Sequence, residues 1–74
     1  MEVKLRLSPT YRRPHLHNAS VPIRMGDTIR DVFRQVGLDE KTARVFVVSG
    51  LKVGADHELK NGDEIVVIPH VGGG

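Results

Sequence analysis

Residues 26–37 read GDTIRDVFRQVG, and this segment has the spacing of a short amphipathic helix. Apolar side chains recur at the i, i+3, i+4 and i+7 positions, which are Ile29, Val32, Phe33 and Val36. Because an α-helix turns once in about 3.6 residues, these side chains lie along one face, and the polar residues between them face water. The segment therefore predicts a helix with one buried face.

Both ends of this helix are marked in the sequence. Thr28 and Asp31 have the spacing of a capping box, in which each side chain accepts a hydrogen bond from the other residue's backbone N–H. Gly37 stands where a helix commonly ends on a left-handed residue, and Leu38 can pack back onto the last turn. We expect the helix to lie between Thr28 and Gly37.

Two strands are predicted before the helix. Residues 2–8 alternate between polar and apolar side chains, and a second alternating stretch covers residues 19–25. Pro22 lies in the second stretch and cannot donate a backbone hydrogen bond, so that strand is expected at an edge of the sheet. The residues between the two strands are expected to form a long, solvated loop.

Three further strands are predicted after the helix. Residues 44–48 and 64–68 are rich in β-branched side chains, and residues 51–53 form a short partner strand that follows a turn at Ser49 and Gly50.

The order strand, strand, helix, strand, short strand, strand predicts an α+β domain with two layers. At this length it indicates a β-grasp (ubiquitin-like) roll, a mixed sheet of four to five strands with one main helix packed on one face. We expect the β-grasp domain to cover residues 1–69. Residues 70–74 are expected to form a flexible C-terminal glycine tail, because glycines bury nothing and lose the most backbone entropy on ordering.

Length and composition restrict the function. A chain of 74 residues has one small core and little room for a substrate cleft, which argues against a self-contained enzyme. The sequence has no cysteine, which excludes a thiol nucleophile and a thiolate metal site. No apolar run approaches the roughly 20 residues of a membrane span. We therefore expect a cytoplasmic protein without a membrane partner.

The charges give no sign of a nucleic-acid partner. The formal net charge is +2, the charged residues are interspersed, and the chain has only two Phe and one Tyr for base stacking. Arg12 and Arg13 could contact an anion, and His15 and His17 could suggest a metal. No further ligands stand nearby, so we predict a solvated loop, no metal site and no nucleic-acid binding.

The C-terminal sixteen residues resemble a known signature. Residues 59–74 read LKNGDEIVVIPHVGGG, which is similar to the end of the prokaryotic ubiquitin-like sulfur carriers. This MoaD/ThiS-like family includes the molybdopterin-synthase small subunit and the thiamin (thiazole) sulfur carrier. Residues 26–33 and 47–53 also resemble the family, although Ser49 stands where an asparagine is often found. Residues 8–19 match neither subfamily well.

The resemblance implies a function for the tail. An E1-like adenylyltransferase would adenylate the Gly74 carboxylate with its own Mg-ATP, and a persulfide enzyme would then supply sulfur. The resulting thiocarboxylate would donate sulfur to a downstream synthase subunit. The chain would be a carrier and no enzyme, a monomer when alone, with no cofactor of its own. Gly73 and Gly74 would be the reactive pair, and His70, Val71 and Gly72 would contact the partner.

The resemblance leaves alternatives open. Ile68 and Pro69 before the tail favour the molybdopterin-type carrier, whereas the ending VGGG is equally similar to the thiamin carrier. A ubiquitin-like protein modifier needs the same tail, since only the acceptor of the activated carboxylate differs. A β-grasp binding module with an inert tail is the third alternative.

The family's strand register predicts a docking patch on the sheet. Both alternating positions of residues 44–48 and 64–68 are apolar, yet one helix covers only one side of a sheet. In that register Phe46, Val48, Ile65 and Val67 face the helix. The predicted partner-docking patch on the open face consists of Val45, Val47, Val66 and Ile68. A shift of one residue would exchange the two sets.

Overall fold

The structure is a computed structural model that describes residues 1–70. It contains one helix and five strands, in the order β1 (Glu2–Leu7), β2 (Ala19–Pro22), α1 (Ile29–Val36), β3 (Ala43–Val48), β4 (Leu51–Val53) and β5 (Glu64–Pro69). Three short 3₁₀ turns lie at Pro9–Tyr11, Pro14–Leu16 and Glu40–Thr42.

The five strands form one mixed sheet with the order β2-β1-β5-β3-β4. Strands β1 and β5 are parallel, and all other neighbours are antiparallel. The predicted β-grasp fold with a mixed sheet is therefore confirmed. β5 lies at the centre, while β2, which contains Pro22, lies at an edge as predicted.

The core lies between α1 and one face of the sheet. Val3, Leu5 and Leu7 of β1 are buried, and the residues between them are exposed. On the helix, Phe33 is buried, and its ring meets that of Phe46 edge to face with centroids 5.3 Å apart. Full burial of an aromatic side chain of this size contributes about 1.5–3 kcal/mol, so this pair is a main link between the two layers.

The helix has the predicted caps. The Thr28 backbone N–H donates to Asp31 Oδ2 at 2.9 Å, and the Asp31 N–H donates to Thr28 Oγ1 at 3.3 Å. The hydrogen bond from the Thr28 backbone N–H, together with one from the Thr28 hydroxyl to the same Oδ2 at 3.1 Å, holds the pKa of the Asp31 carboxyl below its usual value. At the other end, Gly37 adopts φ 76°, and the N–H of Leu38 donates to the Phe33 carbonyl. Local sequence signals therefore fix both ends of α1.

The second strand is shorter than predicted. The alternation through residues 19–25 predicted a strand as far as Met25, but β2 ends at Pro22, and Met25 is 88% exposed. The cause is a turn in which Asp27 Oδ2 accepts a hydrogen bond from the Arg24 N–H at 2.8 Å. This turn directs the chain towards the helix before the alternating pattern is complete.

The loop between β1 and β2 contains regular turns and one buried side chain. It contains two 3₁₀ turns, and Leu16 in the second is only 6% exposed. The prediction of a purely solvated loop is therefore wrong for Leu16, which belongs to the core. A single apolar residue in a polar run has no periodicity and gives no strand or helix signal.

The turn between β3 and β4 offers a test of backbone strain. Ser49 and Gly50 form a two-residue turn, and both have positive φ, 53° and 76°. This is the pattern of a type I′ turn, in which the first position favours asparagine over serine. We expect Ser49→Asn to raise the free energy of unfolding by about 0.5–1 kcal/mol.

Chemical denaturation would measure this change. The control is Ser20→Asn, an exposed residue in the edge strand β2, where no gain is expected because asparagine is depleted in strands. Equal or lower stability of Ser49→Asn would contradict the strain argument.

Candidate docking surface and tail root

Four apolar side chains share the face of the sheet that α1 leaves uncovered. Val45 pairs with Ile68 and Val47 pairs with Val66 across β3 and β5. The three valines are half-buried, and Ile68 is 41% exposed. We call these four residues the open-face patch. The structure places them on the face that the family's register predicted, and their role in docking stays a prediction.

The patch is continued by a groove at the ends of β1 and β5. The groove has a volume of about 460 Å³. Its lining residues come from both strands and the turn after β1: Arg6, Leu7, Ser8, Pro9, Val66, Val67, Ile68 and Pro69. Because the groove shares Val66 and Ile68 with the patch, the two form one continuous surface.

One ion pair borders this surface. Arg6 Nη1 lies 3.6 Å from Glu64 Oε1, and both side chains are about half exposed. Such a pair contributes little to stability in water, so both side chains can exchange partners at low cost. The surface therefore has an apolar centre and a charged border, which is the usual composition of a protein interface.

The chain leaves the sheet at a point held by contacts from two other segments. Pro69 pairs with Ala43, and the His70 N–H donates to the Thr42 carbonyl at 3.5 Å. The hydroxyls of Tyr11 and Thr42 lie 3.3 Å apart. Because the Thr42 hydroxyl donates its one proton to the Asp39 carbonyl at 2.7 Å, the Tyr11 hydroxyl is the donor.

We call Tyr11, Thr42 and His70 the tail root. Sequence reasoning identified only His70 of these three. No local signal links Tyr11 with Thr42, since 31 positions separate them. The other predicted tail residues, Val71, Gly72, Gly73 and Gly74, lie outside the described residues.

The described residues show no catalytic constellation. Between residues 1 and 70 no charged or polar side chain is fully buried. No group of three or more His, Asp or Glu side chains that could hold a metal occurs in that range. His17 Nε2 is enclosed without a hydrogen-bond partner there, and His15 is exposed. No helix of the described part is long and apolar enough to cross a membrane.

Comparison with known proteins decides the family. The sequence model of the ThiS family matches residues 12–74, which is most of the chain. The chain belongs to the ThiS family. The matched part of this ThiS-family protein includes α1, β5, the open-face patch and the glycine run, so the resemblance inferred from residues 26–33, 47–53 and 59–74 is confirmed.

Solved structures share the fold of this ThiS-family protein. A Pyrococcus furiosus protein described as a molybdopterin converting factor, subunit 1, matches with a TM-score of 0.73 and 23% identity, over 96% of this chain and 99% of that one. SAMP1 from Haloferax volcanii matches with a TM-score of 0.76 and 17% identity, over the full length of both chains. These matches support a MoaD/ThiS-like, ubiquitin-like fold for the described residues.

Proposed function

We propose that this ThiS-family protein is a sulfur carrier whose C-terminal Gly74 carboxylate is converted to a thiocarboxylate. The observation that carries the proposal is the family match over residues 12–74, which includes the glycine run. That run follows β5, the central strand of the sheet. A terminal carboxylate on residues without Cβ atoms can enter a narrow channel in a partner while the domain stays outside.

The proposed chemistry takes place in partner proteins. In an E1-like adenylyltransferase, the Gly74 carboxylate attacks the α-phosphate of Mg-ATP, which gives an acyl adenylate and releases pyrophosphate. A persulfide sulfur on the donor enzyme then attacks the acyl carbon and AMP leaves. A thiol cleaves the remaining S–S bond and is oxidised to a disulfide, which leaves the thiocarboxylate on the carrier. A downstream synthase subunit takes the sulfur from it.

The chain itself supplies position rather than catalysis. Small ThiS/MoaD-like carriers are generally non-catalytic, and we propose the same here, with no cofactor bound by the chain itself. The open-face patch would dock on the partner, and Gly73 and Gly74 would reach its active site, with His70, Val71 and Gly72 in contact on the way. ATP and a persulfide donor are cytoplasmic reactants, so the proposal is of a cytoplasmic protein, monomeric when alone.

The receiving pathway is proposed to be of the molybdopterin type, with the thiamin thiazole type next. Ile68 and Pro69 before the tail favour the first, and the ending VGGG fits both. A ubiquitin-like protein modifier is the second candidate. Its tail would form the same adenylate, but a lysine amine in place of a persulfide would attack the acyl carbon.

The intact mass of the protein, purified from its native host, tests the proposal. We expect a form in which one oxygen of the C-terminal carboxylate is replaced by sulfur. A variant that lacks Gly74, expressed in the same host, is the control and should show no such form. Lysine conjugates of the chain, without any thiocarboxylate form, would contradict the carrier and favour the modifier.

A further inference from the structure

The sheet topology brings three basic residues together around the tail root. β1 and β5 are parallel and end on the same side of the molecule, and the antiparallel strand β3 begins there. The 3₁₀ turns Pro9–Tyr11 and Glu40–Thr42 therefore meet at this end, as the contact between the Tyr11 and Thr42 hydroxyls shows. Arg12, Lys41 and Arg44 adjoin these contacts in sequence. We call these three residues the basic collar.

The position of Arg44 in the collar comes from an irregularity of the sheet. Ala43 pairs with Pro69 and Val45 pairs with Ile68, so Arg44 is an extra residue without a partner in β5. This is a β-bulge between the last two residue pairs that join β3 and β5 before the tail. Bulges redirect side chains and are frequent beside functional sites. The bulge thus places an exposed arginine beside the point where the chain leaves the sheet.

Arg12 is also held in an uncommon backbone conformation. Its φ is 52°, in the left-handed region that long side chains rarely adopt, and its N–H donates to the Pro9 carbonyl at 3.0 Å. The turn after Tyr11 therefore fixes this residue next to the tail root, and its side chain is exposed to solvent.

The acidic residues at this end are already engaged within the domain. Asp39 Oδ1 accepts the backbone N–H of Lys41 at 2.9 Å. Glu40 pairs with Arg30, and the hydrogen bond from that guanidinium lowers the pKa of the Glu40 carboxyl. Within residues 1–70 the ion pairs are Arg30 with Glu40 and Arg6 with Glu64, so none involves the collar.

The opposite end of the molecule has the opposite character. The starts of β1 and β5 and the loop between β4 and β5 lie there, and they carry five carboxylates: Glu2, Asp56, Glu58, Asp63 and Glu64. The basic residues Arg24 and Lys60 lie at the same end, so the carboxylates outnumber these two cations. The two ends of the molecule therefore differ in charge although the formal net charge of the chain is only +2, and the end that carries the tail is the more positive one.

We propose that the basic collar binds an acidic protein surface at the mouth of the channel that receives the tail. From the proposed function, the collar needs one element: that the tail enters a partner protein. An attraction of this kind speeds encounter and aligns the tail with the channel before the apolar patch makes contact. A single-stranded nucleic acid fits less well, because Tyr11, the aromatic residue beside the collar, is half-buried and hydrogen-bonded to Thr42 and offers no free platform for base stacking.

The test compares two double charge reversals. Arg12→Glu/Arg44→Glu changes the collar, and Arg24→Glu/Lys60→Glu makes the same change in net charge at exposed positions on the opposite end. The measured quantity is the association rate constant with the E1-like adenylyltransferase of the same organism, without ATP, at low salt. We expect the collar variant to associate at least about 10-fold more slowly and the control variant to stay within about twofold of the original chain.

Salt provides a second comparison. At about 1 M salt the Debye length is near 3 Å, so the difference between the two variants should disappear. Equal slowing by both variants would overturn the proposal, because only the net charge would then matter. Tighter binding of a 20-nucleotide single-stranded RNA than of the enzyme, lost in the collar variant, would also overturn it. Unchanged thermal unfolding midpoints would establish that both variants are folded.

The same experiment separates this proposal from the sulfur-carrier function. A chain without Gly73 and Gly74 cannot form the adenylate, yet its association should still slow when the collar is reversed. If the full chain binds through the collar but supports no ATP–pyrophosphate exchange, the carrier function fails and the collar stands. If exchange occurs and collar reversal has no effect on association, the collar fails and the adenylation step of the proposed function stands.

Discussion

Removal of Gly73 and Gly74 is expected to abolish ATP-dependent activation by the E1-like partner and to leave the stability of the domain unchanged. The reacting carboxylate would end about 7 Å short of its place, since each extended residue spans about 3.3–3.6 Å. The core side chains of the described structure lie between Val3 and Val67, so the deletion removes none of them. ATP–pyrophosphate exchange measures the activation, and urea denaturation measures the stability.

A conservative variant makes this prediction sharper. Gly74→Ala keeps a terminal carboxylate but adds a Cβ atom beside it, so exchange should fall without reaching the background of the deletion. Undiminished exchange in the deletion would show that the reactive group is not the C-terminal carboxylate. A lower unfolding midpoint would contradict the boundary that we predict between the domain and the tail.

Replacement of Ile68 by aspartate is expected to weaken partner binding by about 30-fold or more, the effect of a hot-spot residue at an interface. Its effect on the free energy of unfolding should stay below about 1 kcal/mol because the side chain is 41% exposed. The opposite result is expected for Ile65→Asp, three positions earlier in β5. That side chain is 0% exposed, and burial of an unpaired carboxylate costs more than about 4 kcal/mol.

Leu51→Asp is the matched control for the patch. Leu51 is another exposed apolar side chain, 67% accessible, but it lies on the edge strand β4 outside the patch. Binding to the same E1-like partner, measured by calorimetry, should be unchanged in this variant. Equal losses of affinity in Leu51→Asp and Ile68→Asp would contradict a localised docking patch. A stability loss in Ile68→Asp as large as that in Ile65→Asp would contradict the assignment of faces.

Local patterns predicted the parts of the fold that depend on neighbours in sequence. The period of residues 26–37 gave the helix, and the capping residues gave its limits. Pro22 indicated an edge strand because proline lacks the N–H that a central strand must donate. The family's register separated Ile65 and Val67 from Val66 and Ile68, and the burial of these residues agrees with that register.

Features that depend on distant partners could not be predicted in this way. The tail root joins Tyr11, Thr42 and His70 from three segments, and nothing near any one of them in sequence indicates the other two. The bulge at Arg44 arises from the pairing of β3 with β5, so residues 44–48 alone appeared to be a regular strand. Met25 continued an alternating pattern, but a single hydrogen bond from Arg24 to the Asp27 carboxylate ended the strand before it.

The central position of β5 has a consequence for synthesis of the protein. β1 and β3 do not touch in the sheet, and each is bonded to β5, which is the last strand in sequence. A nascent chain can form the β1–β2 and β3–β4 hairpins early, but the sheet closes only when Glu64–Pro69 has left the ribosome. A chain truncated before Glu64 lacks this middle strand and remains open to proteases. The glycine run follows β5 by only a few residues, so completion of the fold and synthesis of the glycine run occur at nearly the same time. A molecule that has folded therefore contains β5, the strand after which the tail begins.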